Sequence, residues 1–153
     1  MVANKTIRFF FIEIAIFFYV VLFLYAGGVK LIDYGSFVGQ LGKSPILAAH
    51  AGWIAWVVPV AEIILAAFLL VPRFRLTALY ASFGLMSAFT IYVMWILTFS
   101  EKLPCACGGV LSSLHWKGHL VLNVAFLILG ATAIALYRHR SNPTTSEPIA
   151  SVR

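Results

Sequence analysis

Four apolar runs, each about as long as a bilayer is thick, constrain almost everything this chain can fold into. They are Ile7 to Gly28, Trp53 to Val71, Leu76 to Phe99 and Gly118 to Tyr137. A helix rising 1.5 Å per residue needs about 20 residues to cross a hydrocarbon core of about 30 Å. In a chain of 153 residues, four such spans leave room only for short connections. Only 10% of the residues are charged and 62% are hydrophobic, whereas an ordinary soluble domain is about 25% charged. The expected fold is all-α: an antiparallel bundle of four transmembrane helices, forming one membrane domain over residues 1–137. The first run follows the cationic MVANKTIR as the core of a signal peptide would. It is too long for one and lacks an A-x-A-like cleavage site, so it reads as a retained span.

The connections differ in character. Between the first two spans, GVKLIDYGSFVGQLGKSPILAAHAG is punctuated by Gly35, Gly39, Gly42 and Pro45 and has room for a short interfacial helix. The second connection, PRFR, is a tight turn. The tail from Arg138 loses apolar periodicity and is rich in Ser, Thr and Pro, so residues 138–153 are expected to be a disordered cytoplasmic tail. The net charge of +6 does not point to nucleic acid, because the cations stand singly at the ends of apolar runs. The bilayer is the partner they serve. Lys5, Arg8, Arg73, Arg75, Arg138, Arg140 and Arg153 fall on one side, Lys30, Lys43, Lys102 and Lys117 on the other. The positive-inside rule then puts both termini and PRFR in the cytoplasm of a multi-pass inner-membrane protein.

That orientation sends the third connection outside, and with it the only two cysteines. The stretch LPCACGGVLSSLHWKGHLVLN places Cys105 and Cys107 one residue apart, in a compartment where a disulfide persists. A bridge needs alpha carbons about 4.4–6.8 Å apart, which residues two apart reach only in a restricted backbone conformation. Such a bond is strained, hence easily reduced, and closes too small a loop to stabilise the fold. Pro104 restricts the backbone before the pair, while Gly108 and Gly109 leave a partner's approach open. The plainer alternative is that both thiols are small apolar side chains.

Further polar residues stand where lipid would reject them. With a fourth helix beginning near Leu114, Trp116, His119 and Asn123 share one face. They serve either as hydrogen-bonding glue between helices or, for His119, as a neighbour that tunes a thiol. Glu62 lies near the middle of the second span, at a depth where a carboxylate is costly and calls for a partner. Lys30 is that partner if the first helix runs on past Gly28; Pro59 also opens a backbone carbonyl nearby, and the alternative is a neutral acid. Lys30 can instead pair with Asp33 across one turn. Glu13 is shallow enough to reach the cytoplasmic interface, and Tyr25, Trp53 and Trp56 read as interfacial belt residues. A metal site made of Cys105, Cys107, His115 and His119 competes, since these ligand types suit zinc or Cu(I), although structural zinc sites more often space their cysteines two to four apart.

The sequence resembles the MauE/DoxX family of redox-associated membrane proteins, and more closely its MauE branch. The likeness runs through LYAGGVKLIDYGSFVGQLGKSPIL, PVAEIILAAFLLVP, PCACGG and LHWKGHLVLN. It implies a four-helix membrane protein tied to disulfide chemistry outside the cytoplasm, as in the maturation of a disulfide-rich methylamine dehydrogenase subunit. On this resemblance Cys105 and Cys107 match the family's cysteines, and Trp116 and Asn123 match its fourth-span motif. His119 departs from that motif, whose basic residue stands nearer the asparagine. Bacterial quinone-linked disulfide-forming proteins relay electrons through two cysteine pairs, and this chain has one. It is therefore expected to exchange with a thioredoxin-like protein at the outer face and pass electrons to a quinone or another membrane carrier. Beside this reading stand the Cys/His metal site and a small-molecule or proton carrier centred on Glu62.

Overall fold

The computed structural model describes residues 2–44, 46–99 and 116–141. Five helices account for nearly all of them: α1 (Val2–Ile32), α2 (Tyr34–Gly42), α3 (Ala51–Leu70), α4 (Arg75–Phe99) and α5 (Trp116–Ser141), with a 3-10 turn at Ala48–His50 leading into α3. Among the described residues there is no strand. Four of the helices are long and apolar enough to cross a membrane, over Thr6–Ile32, Ala48–Leu70, Arg75–Trp95 and Gly118–Arg138.

Each spanning helix carries one inward stripe at intervals of three and four residues, the spacing that places side chains on a single helical face. On α1 it runs through Ile12, Ala15, Ile16, Tyr19, Val20 and Phe23, all buried. On α3 it is Ala51, Ala55, Pro59, Glu62, Ala66 and Leu69, mostly small side chains that let a neighbour come close. Ala78, Leu79, Ser82, Met86 and Thr90 continue it on α4, and Ala133 and Ile134 on α5. The opposite faces stay apolar but exposed, as with Phe10, Phe17, Trp53, Ile91 and Val121, because their solvent is lipid rather than water. α1 packs chiefly on α3 and α4 on α5, and the α3–α4 and α1–α5 contacts close the ring.

Glycine and tyrosine set two of the close approaches. A Cβ on Gly27 would lie 3.0 Å from the Pro59 carbonyl oxygen and 3.1 Å from Ile63 Cγ1, so the missing side chain is what brings α1 against α3. Across the bundle, the Tyr19 hydroxyl of α1 donates a 2.6 Å hydrogen bond to the Phe126 carbonyl of α5. It fits there because a Cβ on Gly130, one turn on, would collide with it.

Helix ends depart from the expected spans in ways that matter. α1 continues past Gly28 to Ile32, and the chain enters α2 almost without a break, Asp33 N–H bonding the Val29 carbonyl and Phe37 N–H the Asp33 carbonyl. α2 fills the room foreseen for a short helix in the first connection and packs on α3 through Leu41, Ala51 and Ala55. Pro72, Arg73 and Phe74 of PRFR form the turn between α3 and α4, and Arg75 opens α4. Arg75 Nη1 lies 2.5 Å from Glu13 Oε1, so Glu13 is held by the first cation of α4 rather than reaching for the interface alone. The expectation that order ends at Arg138 needs correction, since α5 runs through Ser141. Pro143 is the first residue a helix interior rejects. Residues 142–153, like the cysteine-bearing connection 100–115, lie outside the described residues.

Candidate functional site

The inward stripe of α3 carries one charge. Glu62 is 1% exposed, and its Oε1 lies 2.5 Å from Lys30 Nζ of α1, whose side chain is 17% exposed. The pairing depends on α1 running past Gly27 and Gly28: Phe23, Gly27 and Lys30 follow one another at four and three residues, so the ammonium continues the buried stripe. A lone carboxylate at this depth costs several kcal/mol, and an ammonium at hydrogen-bonding distance offsets much of that. Two rings complete the ammonium's surroundings, with the Lys30 nitrogen 5.1 Å from the Phe89 centroid and 5.8 Å from that of Phe37. Both are within the range where a ring face attracts a cation.

Lys30 thus pairs with Glu62 and not with Asp33, which is exposed where α1 meets α2. Nor does Pro59 supply the partner. The carbonyl it frees is that of Ala55, one turn farther from Glu62, and the Pro59 carbonyl itself packs against Gly27.

The ion pair forms part of the wall of a cavity of about 410 Å³ between the four spans, a size typical of small-molecule sites. Its lining comes from the last third of α1, from Phe37, Gln40 and Leu41 of α2, from the first half of α3 and from the second half of α4. The first turns of α5 add His119, Leu122 and Asn123. Most of the wall is Leu, Val, Phe, Ile and Met, with a few polar groups among them: Lys30, Glu62, Gln40, Tyr25, Tyr92, His119 and Asn123. Glu62 Oε2 and Gln40 Oε1 are both buried without a hydrogen-bond partner among the described residues.

His119 and Asn123, read from the sequence as a polar face of α5, and Glu62 and Lys30, read as a separate pair, therefore share one chamber. Trp116 opens α5 at the same end, and its side chain lies outside the described residues. So do Cys105, Cys107 and His115, and of the four candidate metal ligands only His119 is described. Among the described residues no three His, Cys, Asp or Glu side chains gather to hold a metal. Trp53 and Trp56 are exposed on α3, Trp56 resting 5.8 Å from the Tyr34 ring, whereas Tyr25 lines the cavity rather than only a belt. Phe37, Gln40, Phe89 and Tyr92 carried no signal in the sequence. They look like ordinary members of a glycine-punctuated segment and an apolar span until α2 folds over the bundle.

The family model for methylamine utilisation protein MauE matches residues 8–137. The chain belongs to the MauE family. The match runs from the first span into the fourth, and makes this MauE-family chain a multi-pass membrane protein. No curated protein and no solved structure matches it. Within the MauE fold seen here, the cavity end is where α1 and α4 finish and α3 and α5 begin.

Proposed function

We propose that this MauE-family protein carries out thiol–disulfide exchange at the outer face of the bacterial cytoplasmic membrane, with Cys105 and Cys107 as the exchanging pair. Its partner would be a thioredoxin-like or other disulfide-exchange protein, and the context the maturation of disulfide-containing extracytoplasmic proteins, as in methylamine utilisation. The supporting observation is the position of the cavity. The two helices that flank the cysteines in sequence, α4 and α5, give Tyr92, Val93, His119 and Asn123 to its wall. An apolar chamber with a few polar groups, walled in part by the two helices that flank the cysteines in sequence, suits a protein that trades electrons between a soluble partner and a carrier in the membrane, a quinone or another.

The exchange balances without a further reagent. A thiolate of the pair attacks the partner's disulfide to give a mixed disulfide, the second thiolate displaces the partner's remaining sulfur, and the bridge forms as the partner becomes a dithiol. The same steps in reverse oxidise the partner. A second reading, a small-molecule or proton carrier centred on Glu62, is favoured by the buried Lys30–Glu62 pair facing a chamber. A Cys/His metal site is the third.

Orientation is the first thing to test. A membrane-impermeant thiol reagent applied to intact, pre-reduced cells should label Cys105 and Cys107. Labelling that appears only once the inner membrane is opened would put the pair on the cytoplasmic side and end the proposal.

A further inference from the structure

We infer that the cavity beside Lys30 and Glu62 binds a lipid-soluble, quinone-type ring, whose oxygens are carbonyls in one redox state and hydroxyls in the other. The inference rests on the thiol–disulfide reading for its place in the reaction, and on the chamber's own chemistry for the ligand class.

Three observations carry it. The first is room and access. About 410 Å³ walled mainly by apolar side chains, within the membrane-spanning part of the bundle, accepts a molecule that arrives from lipid, and flat rings pack against Phe37, Phe89 and Tyr92.

The second is a surplus of donors. Lys30 Nζ has three N–H groups and gives one to Glu62 Oε1. The Tyr92 hydroxyl and the Asn123 amide make no hydrogen bond to another described residue. These groups ask for an acceptor oxygen, and a carbonyl is one.

The third is a pair of acceptors in the same wall. Glu62 Oε2 and Gln40 Oε1 are buried and unpartnered among the described residues, and buried polar atoms in native proteins are rarely left so. They ask for a donor, and a ring hydroxyl is one.

A ligand oxygen that only accepts or only donates satisfies half of this set, whereas a quinone and its hydroquinone satisfy each half in turn. When the Cys105 and Cys107 thiols close to a bridge, two S–H bonds are lost and one S–S bond forms. The two electrons and two protons released convert both ring carbonyls to hydroxyls. The reverse reaction balances equally, so the site fits either direction of flow.

The test separates binding from thiol chemistry by using the full chain with Cys105→Ser and Cys107→Ser, purified in lipid nanodiscs. Menadione is titrated as the probe, against 2-methylnaphthalene, the same ring skeleton without oxygens. Menadione should bind saturably at one site and the hydrocarbon far more weakly. Tyr92→Phe and Asn123→Leu should each weaken menadione by about three- to tenfold while leaving the hydrocarbon unchanged, with helicity confirming that both variants fold. Ala26→Phe, which fills the chamber, should abolish saturable binding. Equal uptake of the two compounds, or menadione binding untouched by all three substitutions, would show partition into lipid and overturn the site. Because the serine variant cannot exchange, loss of the redox reading would leave this result unaffected, and the reverse also holds.

Discussion

Glu62 and Lys30 show how much one buried charge asks of its neighbours. The carboxylate is 1% exposed and its ammonium partner 17%, and the ammonium is in turn held by two aromatic faces. Removing one member of such a pair leaves the other without compensation, at a cost of about 3–5 kcal/mol, whereas apolar replacement of both is often nearly neutral. Lys30→Met should therefore lower the thermal midpoint of the detergent-solubilised protein well below wild type. Adding Glu62→Leu should recover most of the loss. A double variant no more stable than Lys30→Met would mean that the pair is not coupled as the geometry requires. The sequence exposed half of this arrangement. A carboxylate in the middle of an apolar span is conspicuous, and so is a lysine just beyond one. The aromatic faces were illegible, because Phe89 sits in an unremarkable apolar run and Phe37 in a segment whose path depends on how α2 folds back.

The helices were the most legible part of the chain, and their ends the least. Apolar length fixed four spans to within a few residues, since a bilayer tolerates neither much shorter nor more polar segments. What length could not show was that α1 crosses the Gly27–Gly28 pair intact. Glycine ordinarily weakens a helix interior, but here packing overrides propensity, because Gly27 is pressed against Pro59 and Ile63 of α3. Gly28, its neighbour, would meet nothing within 4 Å. The two positions should thus respond oppositely to a side chain. Gly27→Val should separate α1 from α3 and cost about 1–3 kcal/mol, and with it disturb the Lys30–Glu62 contact three residues on. Gly28→Ala should be neutral or slightly stabilising. Thermal unfolding of the two variants side by side reads this directly, and equal destabilisation would contradict the packing.

At the scale of the molecule, the bundle has two unlike ends. One is closed by a dense core around Tyr19, Phe23, Leu69 and Leu79 and by the Glu13–Arg75 pair at the PRFR turn. The other opens into the cavity, with α2 laid against it. This asymmetry was only partly visible in the sequence. Cationic residues suggested which connections share a side, but nothing in a linear pattern says that His119 and Asn123 of α5 meet Glu62 of α3. The central claim is that Cys105 and Cys107 exchange with a partner's disulfide at that end, and trapping the intermediate tests it most directly. With either cysteine changed to Ser, the survivor can attack but not resolve, so a covalent complex with a thioredoxin-like protein should accumulate in cells and dissolve on reduction. Changing His115 or His119 to Gln should alter its rate without preventing the native bridge. A protein that forms no mixed disulfide in either Ser variant, and instead holds stoichiometric zinc or copper that either histidine substitution weakens, would contradict the account.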